Sequence, residues 1–234
     1  LANVLGHAIQ NPGNNVGNDE MRSFNDMIDG HRRFKRDGYA ADLERYRALA
    51  AEGQSAKIMI VGCCDSRVDP AAIFDAGPGE LFVTRNVANI VPPYQPDRGH
   101  HGTSAAIEFA VSTLGVEHIL VLGHGACGGI QALLEGVGDN GAEDGRLIAR
   151  WMSIAAPVCD RVRAAHPDAP PAVLQEVLEK AAVVQSLDHL RGFPFVAEAM
   201  AKRGLQLHGG WFSIEAGALE LLDPATAQFA PVAT

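Results

Sequence analysis

The sequence predicts an α/β fold: a mainly parallel β-sheet core flanked by helices, with an antiparallel edge strand near the C-terminus and an N-terminal helical arm. Three observations predict it. Two compact apolar runs, Lys57-Ile58-Met59-Ile60-Val61-Gly62 and His118-Ile119-Leu120-Val121-Leu122, have the length and β-branched content of buried parallel strands. Helical patterns alternate with strand-like runs, a rhythm that argues for right-handed crossovers and a parallel sheet. The chain also finishes in two strand-like runs, Leu205 to Ile214 and Ala218 to Leu222, joined by the turn Glu215-Ala216-Gly217.

Taken in order, residues 1–20 include the polar, turn-rich Asn11-Pro12-Gly13-Asn14-Asn15-Val16-Gly17-Asn18 and are expected to be a disordered stretch or extension; residues 21–234 are expected to form a single domain. Met21 to Arg36 puts Phe24, Met27, Ile28 and His31 at helical spacing, with basic residues gathered at the end where cations suit the helix dipole. Ala40 to Glu52 reads as a second helix stopped by Gly53. After the strand at 57–62, Asp69-Pro70 opens a short helix through Phe74, and Glu80 to Arg85 is the next strand. Asn86 to Asp97 reads as a loop. A helix carrying Ile107, Ala110, Val111 and Leu114 on one face precedes the strand at 118–122. Another helix, bearing Ile130, Leu133, Leu134 and Val137, follows it. Gly136 to Gly145 reads as a polar loop. Helical patterns then run through Leu147, Trp151, Ile154 and Val158, through Val173, Val177, Leu178, Ala181 and Val184, and from Phe195 to Arg203, where Gly204 caps the last.

Both apolar runs end in chemistry. The first leads into Cys63-Cys64-Asp65-Ser66-Arg67, the second into Gly123-His124-Gly125-Ala126-Cys127-Gly128-Gly129. The carboxyl ends of strands in an open α/β sheet are where ligands collect, and neighbouring strands lie only about 4.8 Å apart. Two thiolates and an imidazole suit zinc, and three protein ligands leave a fourth position open, as catalytic rather than structural sites do. Cys63, His124 and Cys127 are the candidate ligands. Alternation along an extended chain keeps Cys64 from facing the same ion as Cys63, so Cys64 is expected to be a packed small residue. Cys127 falls near a helix amino end, which favours its thiolate. Cys159 falls among the later helices as a core residue.

Composition narrows the classes of function. At 234 residues, 47% of them hydrophobic, the chain can build one substantial core, and its formal charge of −9 disfavours nucleic acid or an anionic membrane as partner. Four cysteines make no disulfide framework, which points to a reducing compartment, the cytoplasm first, with an organelle or carboxysome-like compartment also open. No apolar run reaches the roughly 20 residues that span a bilayer.

Cys-x-Asp-Ser-Arg followed by His-x-x-Cys-Gly-Gly resembles the β-class carbonic anhydrases. So do Pro78-Gly79-Glu80-Leu81-Phe82-Val83-Thr84-Arg85-Asn86-Val87-Ala88-Asn89 and Gly102-Thr103-Ser104-Ala105-Ala106-Ile107-Glu108-Phe109-Ala110-Val111, with the close match running from about residue 54 to 135. The resemblance implies a β-carbonic-anhydrase-like α/β domain with one Zn2+ per chain. It implies reversible hydration of carbon dioxide to bicarbonate and a proton by zinc-bound hydroxide. It selects Cys63 over Cys64 as ligand, and Asp65 and Arg67 become catalytic residues, Asp65 orienting the nucleophile and Arg67 keeping it ionised. Asp65 would also be a fourth ligand in a closed state only. Phe82, Val87 and Phe109 would line the carbon dioxide pocket, with Gln54 and the Gly128 amide contacting substrate oxygens. One branch of the family carries a bicarbonate switch built on a tryptophan, an arginine and a tyrosine; here Ile60 and Phe212 stand at the first and third places and only Arg85 remains, so no such switch is expected. The partners implied are carbon dioxide, water and bicarbonate, and a second copy of the chain: a homodimer as minimal unit, with a tetramer or larger assembly compatible.

Other readings stay open at this level. The same zinc chemistry on the same fold can hydrolyse carbonyl sulfide or carbon disulfide. A non-catalytic zinc-binding structural protein would need neither Asp65 nor Arg67, and a thiol redox protein is disfavoured by the lack of Cys-x-x-Cys.

Overall fold

The computed structural model describes residues 23–97, 99–139 and 146–233; the expectations for residues 1–20, and most of the polar loop at 136–145, lie outside them. The chain divides into two compact units, Leu1–Ser55 and Ala56–Thr234.

The described part of the first unit is helical: α1 (Phe24–Arg36), α2 (Gly38–Ala41) and α3 (Leu43–Glu52). A capping box starts α1, in which Ser23 Oγ accepts the Asp26 N–H at 3.2 Å and Asp26 Oδ2 accepts the Ser23 N–H at 2.7 Å. Arg33, Lys35 and Arg36 occupy its last turn, complementing the exposed carbonyls there. Phe34, Tyr39 and Tyr46 form an aromatic cluster across the three helices, with Tyr39 and Tyr46 stacked at 5.0 Å and Lys35 Nζ over the Tyr39 ring. The apolar stripe of α1 at Phe24, Met27 and Ile28 is exposed.

The second unit is built on one six-stranded sheet of order β2-β1-β3-β4-β5-β6. Its strands are β1 (Ile58–Cys63), β2 (Leu81–Asn86), β3 (His118–His124), β4 (Gln206–Ser213), β5 (Ala218–Asp223) and β6 (Gln228–Pro231). The first four are mutually parallel; β5 and β6 add antiparallel at one edge. The predicted hairpin is present, and β6 extends it by one unpredicted strand. Helices α4 (Pro70–Ile73), α5 (Gly102–Glu108), α6 (Gly128–Leu134), α7 (Leu147–Met152), α8 (Ala156–Ala165), α9 (Pro171–Arg191) and α10 (Pro194–Arg203) complete it. Asp69 accepts the N–H groups of Ala71 and Ala72 to cap α4.

Side-chain alternation divides the sheet between two faces. Met59, Val61, Ile119 and Val121 pack with Ile107, Val111 and, from α9, Val183, Leu187 and Leu190 in the main core. On the opposite face Ile60, Leu120 and Leu122 meet Phe212 and Leu219. A further cluster, in which Ile130, Leu133, Met152, Val158, Cys159 and Leu178 pack beyond the strand tips, encloses Cys63 and Cys127.

The structure corrects three local expectations. The helix after Gly102 is regular only to Glu108; Phe109–Leu114 widens into a π-helical turn, closed by Gly115 at φ 67, and Arg203 Nη2 donates to Val111 O in that turn at 2.8 Å. The loop expected from Asn86 begins inside β2 and continues as a 3₁₀ turn, Val87–Asn89, with Ala88 at φ 63. Cys64 is exposed rather than packed: its N–H donates to Asn86 O at 2.9 Å, extending the ladder one step, and alternation turns its side chain away from the cluster that buries Cys63.

Candidate metal centre

The strand order 2-1-3 reverses direction at β1, so the crevice between the carboxyl ends of β1 and β3 is a topological switch point. Cys63 is the last residue of β1 and His124 the last of β3, on strands paired from Ile58↔His118 to Gly62↔Leu122. Cys127 precedes the first residue of α6. One thiol sulfur from each cysteine and one ring nitrogen of His124 all lie within 4.8 Å of one another, and the three residues are 6%, 1% and 2% exposed.

The turn that delivers Cys127 is shaped by backbone. Ala126 sits at φ 53, and the Gly125 N–H donates to Phe212 O at 2.9 Å. At Gly129 a Cβ would come within 2.8 Å of Val87 Cγ1 and 3.1 Å of Ala88 Cβ, so only glycine lets α6 start this close to the 3₁₀ turn. Nothing lies within 4 Å of a Cβ built at Gly128, leaving open space beside the first turn of α6.

His124 Nδ1 lies 2.9 Å from Gly125 O. A carbonyl only accepts, so Nδ1 carries the proton and Nε2 presents its lone pair. Nε2 is buried and has no hydrogen-bond partner, the one such side-chain atom among the described residues. An orphaned buried nitrogen aimed at two thiols, with its other nitrogen fixed on a carbonyl, is the arrangement of a metal-ligating histidine. Donors around a tetrahedral zinc sit roughly 3.5–3.8 Å apart, so the set fits zinc. Protonation follows the same geometry. The adjacent Cys127 sulfur and then His124 hold the Cys63 thiol down at about 4, while the neighbouring Cys63 and burial push Cys127 well up. The helix-end preference expected for the Cys127 thiolate is present in the lowering by the Gly129 and Ile130 amides, but the neighbouring Cys63 and burial outweigh it. A dication would displace the Cys127 proton and hold both sulfurs as thiolates.

Asp65 and Arg67 stand beside this set as a two-pronged pair, with Arg67 Nε to Oδ1 at 2.9 Å and Nη2 to Oδ2 at 2.7 Å; the Arg67 N–H also donates to Oδ1 at 2.9 Å. These bonds hold the Asp65 carboxyl down at about 2. Arg67 Nη2 reaches on to Ala126 O at 2.9 Å, tying the first motif to the second. Arg85 donates to Cys63 O at 2.7 Å and to Asp65 O at 2.6 Å, fixing the end of β1. Phe82 and Phe109 stack on each other at 5.7 Å; Phe109 is partly exposed and Val87 half-buried against α6. Gln54 belongs to the first unit.

Sequence reasoning passed over Glu179 on α9. It is 3% exposed, with Oε1 accepting the Cys127 N–H at 2.9 Å and Oε2 accepting Trp211 Nε1–H at 3.1 Å. Burial pushes its carboxyl up against the pull of these donors. The available signal was periodicity: residue 179 falls on the same helical face as Ala182, Ser186 and Leu190, where an acid has no solvent to face.

A family model described as carbonic anhydrase matches residues 58–219. The chain is 38% identical over 190 residues to the chloroplastic β-carbonic anhydrase 5 of Arabidopsis thaliana, covering 81% of this chain and 62% of that relative's length. It is also 38% identical over 208 residues to a carbonic anhydrase of Pseudomonas aeruginosa, covering 89% and 91%. Among solved structures, the β-carbonic anhydrase CcaA superposes with a TM-score of 0.80 at 29% identity, covering 89% of this chain and 91% of that one. A structure from a study of two tetrameric β-carbonic anhydrases of Sordaria macrospora gives 0.71 at 29%, covering 90% and 98%.

Proposed function

The chain belongs to the β-class carbonic anhydrase family, and from that premise we propose that it catalyses the reversible hydration of carbon dioxide to bicarbonate and a proton, with one zinc ion per chain on Cys63, His124 and Cys127. The observation that carries this is the convergence of three buried donors, one of them an orphaned imidazole nitrogen, at the switch point of a parallel sheet. When bound, zinc supplies Lewis acidity that brings the pKa of a coordinated water from about 15.7 towards 7.

The chain's own residues do the rest. Asp65 accepts a proton-bearing hydrogen bond from the nucleophile and orients it. Arg67 keeps that carboxylate ionised and, through Ala126 O, in register with the second motif. For Asp65 to become a fourth ligand it must first give up its two contacts with the Arg67 guanidinium, so closure of the site is a switch between two partners of one carboxylate. Phe82, Val87 and Phe109 offer apolar surface to an uncharged substrate, and the Gly128 amide is the family's donor to its oxygens, beside a first helical turn where a Cβ at Gly128 would meet no atom within 4 Å. The working form is a homo-oligomer, a dimer at least. The exposed Phe24 and Met27 of α1, and Ile58, Val83 and Leu221 on the strands, supply apolar surface for it. The four free cysteines suit the cytoplasm, and no helix among the described residues is long and apolar enough to cross a membrane.

The test is zinc content and stopped-flow carbon dioxide hydration on one purified sample. The expected result is one zinc per chain with hydration far above the uncatalysed rate, and loss of both in His124→Ala. Stoichiometric zinc without hydration would overturn the activity, and carbon disulfide turnover in its place would reassign the substrate. An active monomer in sedimentation would refute the assembly.

A further inference from the structure

A buried carboxyl is costly unless donors meet it, and Glu179 is met from three elements at once. The Cys127 N–H comes from the turn after β3, Gln175 Nε2 from α9 at 3.1 Å, and the Trp211 indole from β4. Gln175 Nε2 also donates to Cys127 O at 3.3 Å, so α9 holds both the N–H and the carbonyl of that one residue. The Cys127 sulfur is a single side-chain torsion away from the backbone so held.

Resting on the reading that a metal occupies Cys63, His124 and Cys127, we infer that Glu179 is a positioning residue for that metal: outside the ligand set, it fixes the Cys127 backbone and so sets the affinity and geometry of the site. It is the one side chain of this size with two acceptor oxygens, and these take all three donors. Glutamine has the same shape but must turn its amide hydrogens toward either the Trp211 indole or the Cys127 and Gln175 donors. The isosteric change therefore removes the clamp without removing volume.

The test uses the zinc-loaded full chain, with the zinc dissociation constant measured by chelator competition and the absorption spectrum recorded after cobalt(II) replacement. Glu179→Gln should weaken zinc by about 10–100-fold, the range for partners that orient a metal ligand, and shift the thiolate-to-cobalt charge-transfer bands. Gln175→Met, at a partly exposed position, should act in the same direction by several-fold. Leu190→Ala, which removes core packing lower on the same helix, should lower the melting temperature while leaving the zinc constant and the cobalt spectrum as in the wild type. If Glu179→Gln does not fold, Gln175→Met decides by the same two readouts. A Glu179→Gln protein with a zinc constant within two-fold of wild type and an unchanged cobalt spectrum overturns the inference, as does Leu190→Ala weakening zinc equally. Wild-type protein that takes up no zinc would sink the metal reading and this inference with it; wild-type uptake matched by Glu179→Gln sinks this inference alone.

Discussion

Replacing Arg67 by methionine keeps most of the apolar stem, removes the guanidinium, and tests whether one side chain couples the two halves of the site. The guanidinium makes bonds of 2.9 and 2.7 Å to Asp65 and one of 2.9 Å to Ala126 O. Hydrogen bonds to charged groups contribute about 1.5–3 kcal/mol when sheltered. Here the Arg67 side chain is 39% exposed against 16% for Asp65, so solvent screening reduces the pair to about 1–2 kcal/mol. A double-mutant cycle of Arg67→Met and Asp65→Asn, read by urea unfolding at pH 7 with free zinc held constant, should return that coupling. Arg67→Met alone should cost slightly more than the coupling, because Ala126 O also loses its donor. A coupling below about 0.3 kcal/mol would refute the reasoning and reduce the pair to an ordinary surface contact.

Three further outcomes follow from the same geometry. Asp65→Ala, with zinc retained by metal analysis, should lower carbon dioxide turnover by about 10–100-fold; near-normal turnover would remove Asp65 from the mechanism. His208 is held below the usual histidine value by burial and by His118, whose Nδ1 is 3.1 Å from His208 Nε2. The unfolded chain therefore takes up this proton first on acidification, so stability is full above about pH 6.5 and declines below it, and urea midpoints from pH 8 to 5.5 should slope less in His208→Gln. Gly123→Ala would place a Cβ 2.7 Å from Val183 Cγ2, an overpacking cost of about 1–3 kcal/mol; thermal scans should show a drop of several degrees, partly recovered by adding Val183→Ala.

The candidate ligand set was readable in the sequence because its determinants are local. An apolar run stops at Gly62 or Gly123, the next residue begins the chemistry, and a parallel sheet brings strand ends together. What the sequence hid depends on distant partners. Glu179 sits among helix-forming residues whose charge ordinarily faces water, and its donors come from 52 and 32 positions away. The π-turn after Glu108 involves Arg203, 92 positions from the carbonyl it binds. Alternation placed Cys64 opposite Cys63, yet whether that side is covered is a question of packing, which no local pattern contains. β6 is four residues long and ends in proline, too short to show a period.

The placement of the donors on strands separated in the chain has a consequence for how the protein is made. Cys63 and Cys127 stand 64 positions apart, so at about 5–20 residues per second a ribosome needs roughly 3–13 s to extend from one to the other. Throughout that interval Cys63 and Cys64 are adjacent thiols without Cys127 to share an ion. Loading is therefore an event of the finished fold, and nascent chains stalled before β3 should retain no zinc while those stalled well beyond β4 retain one.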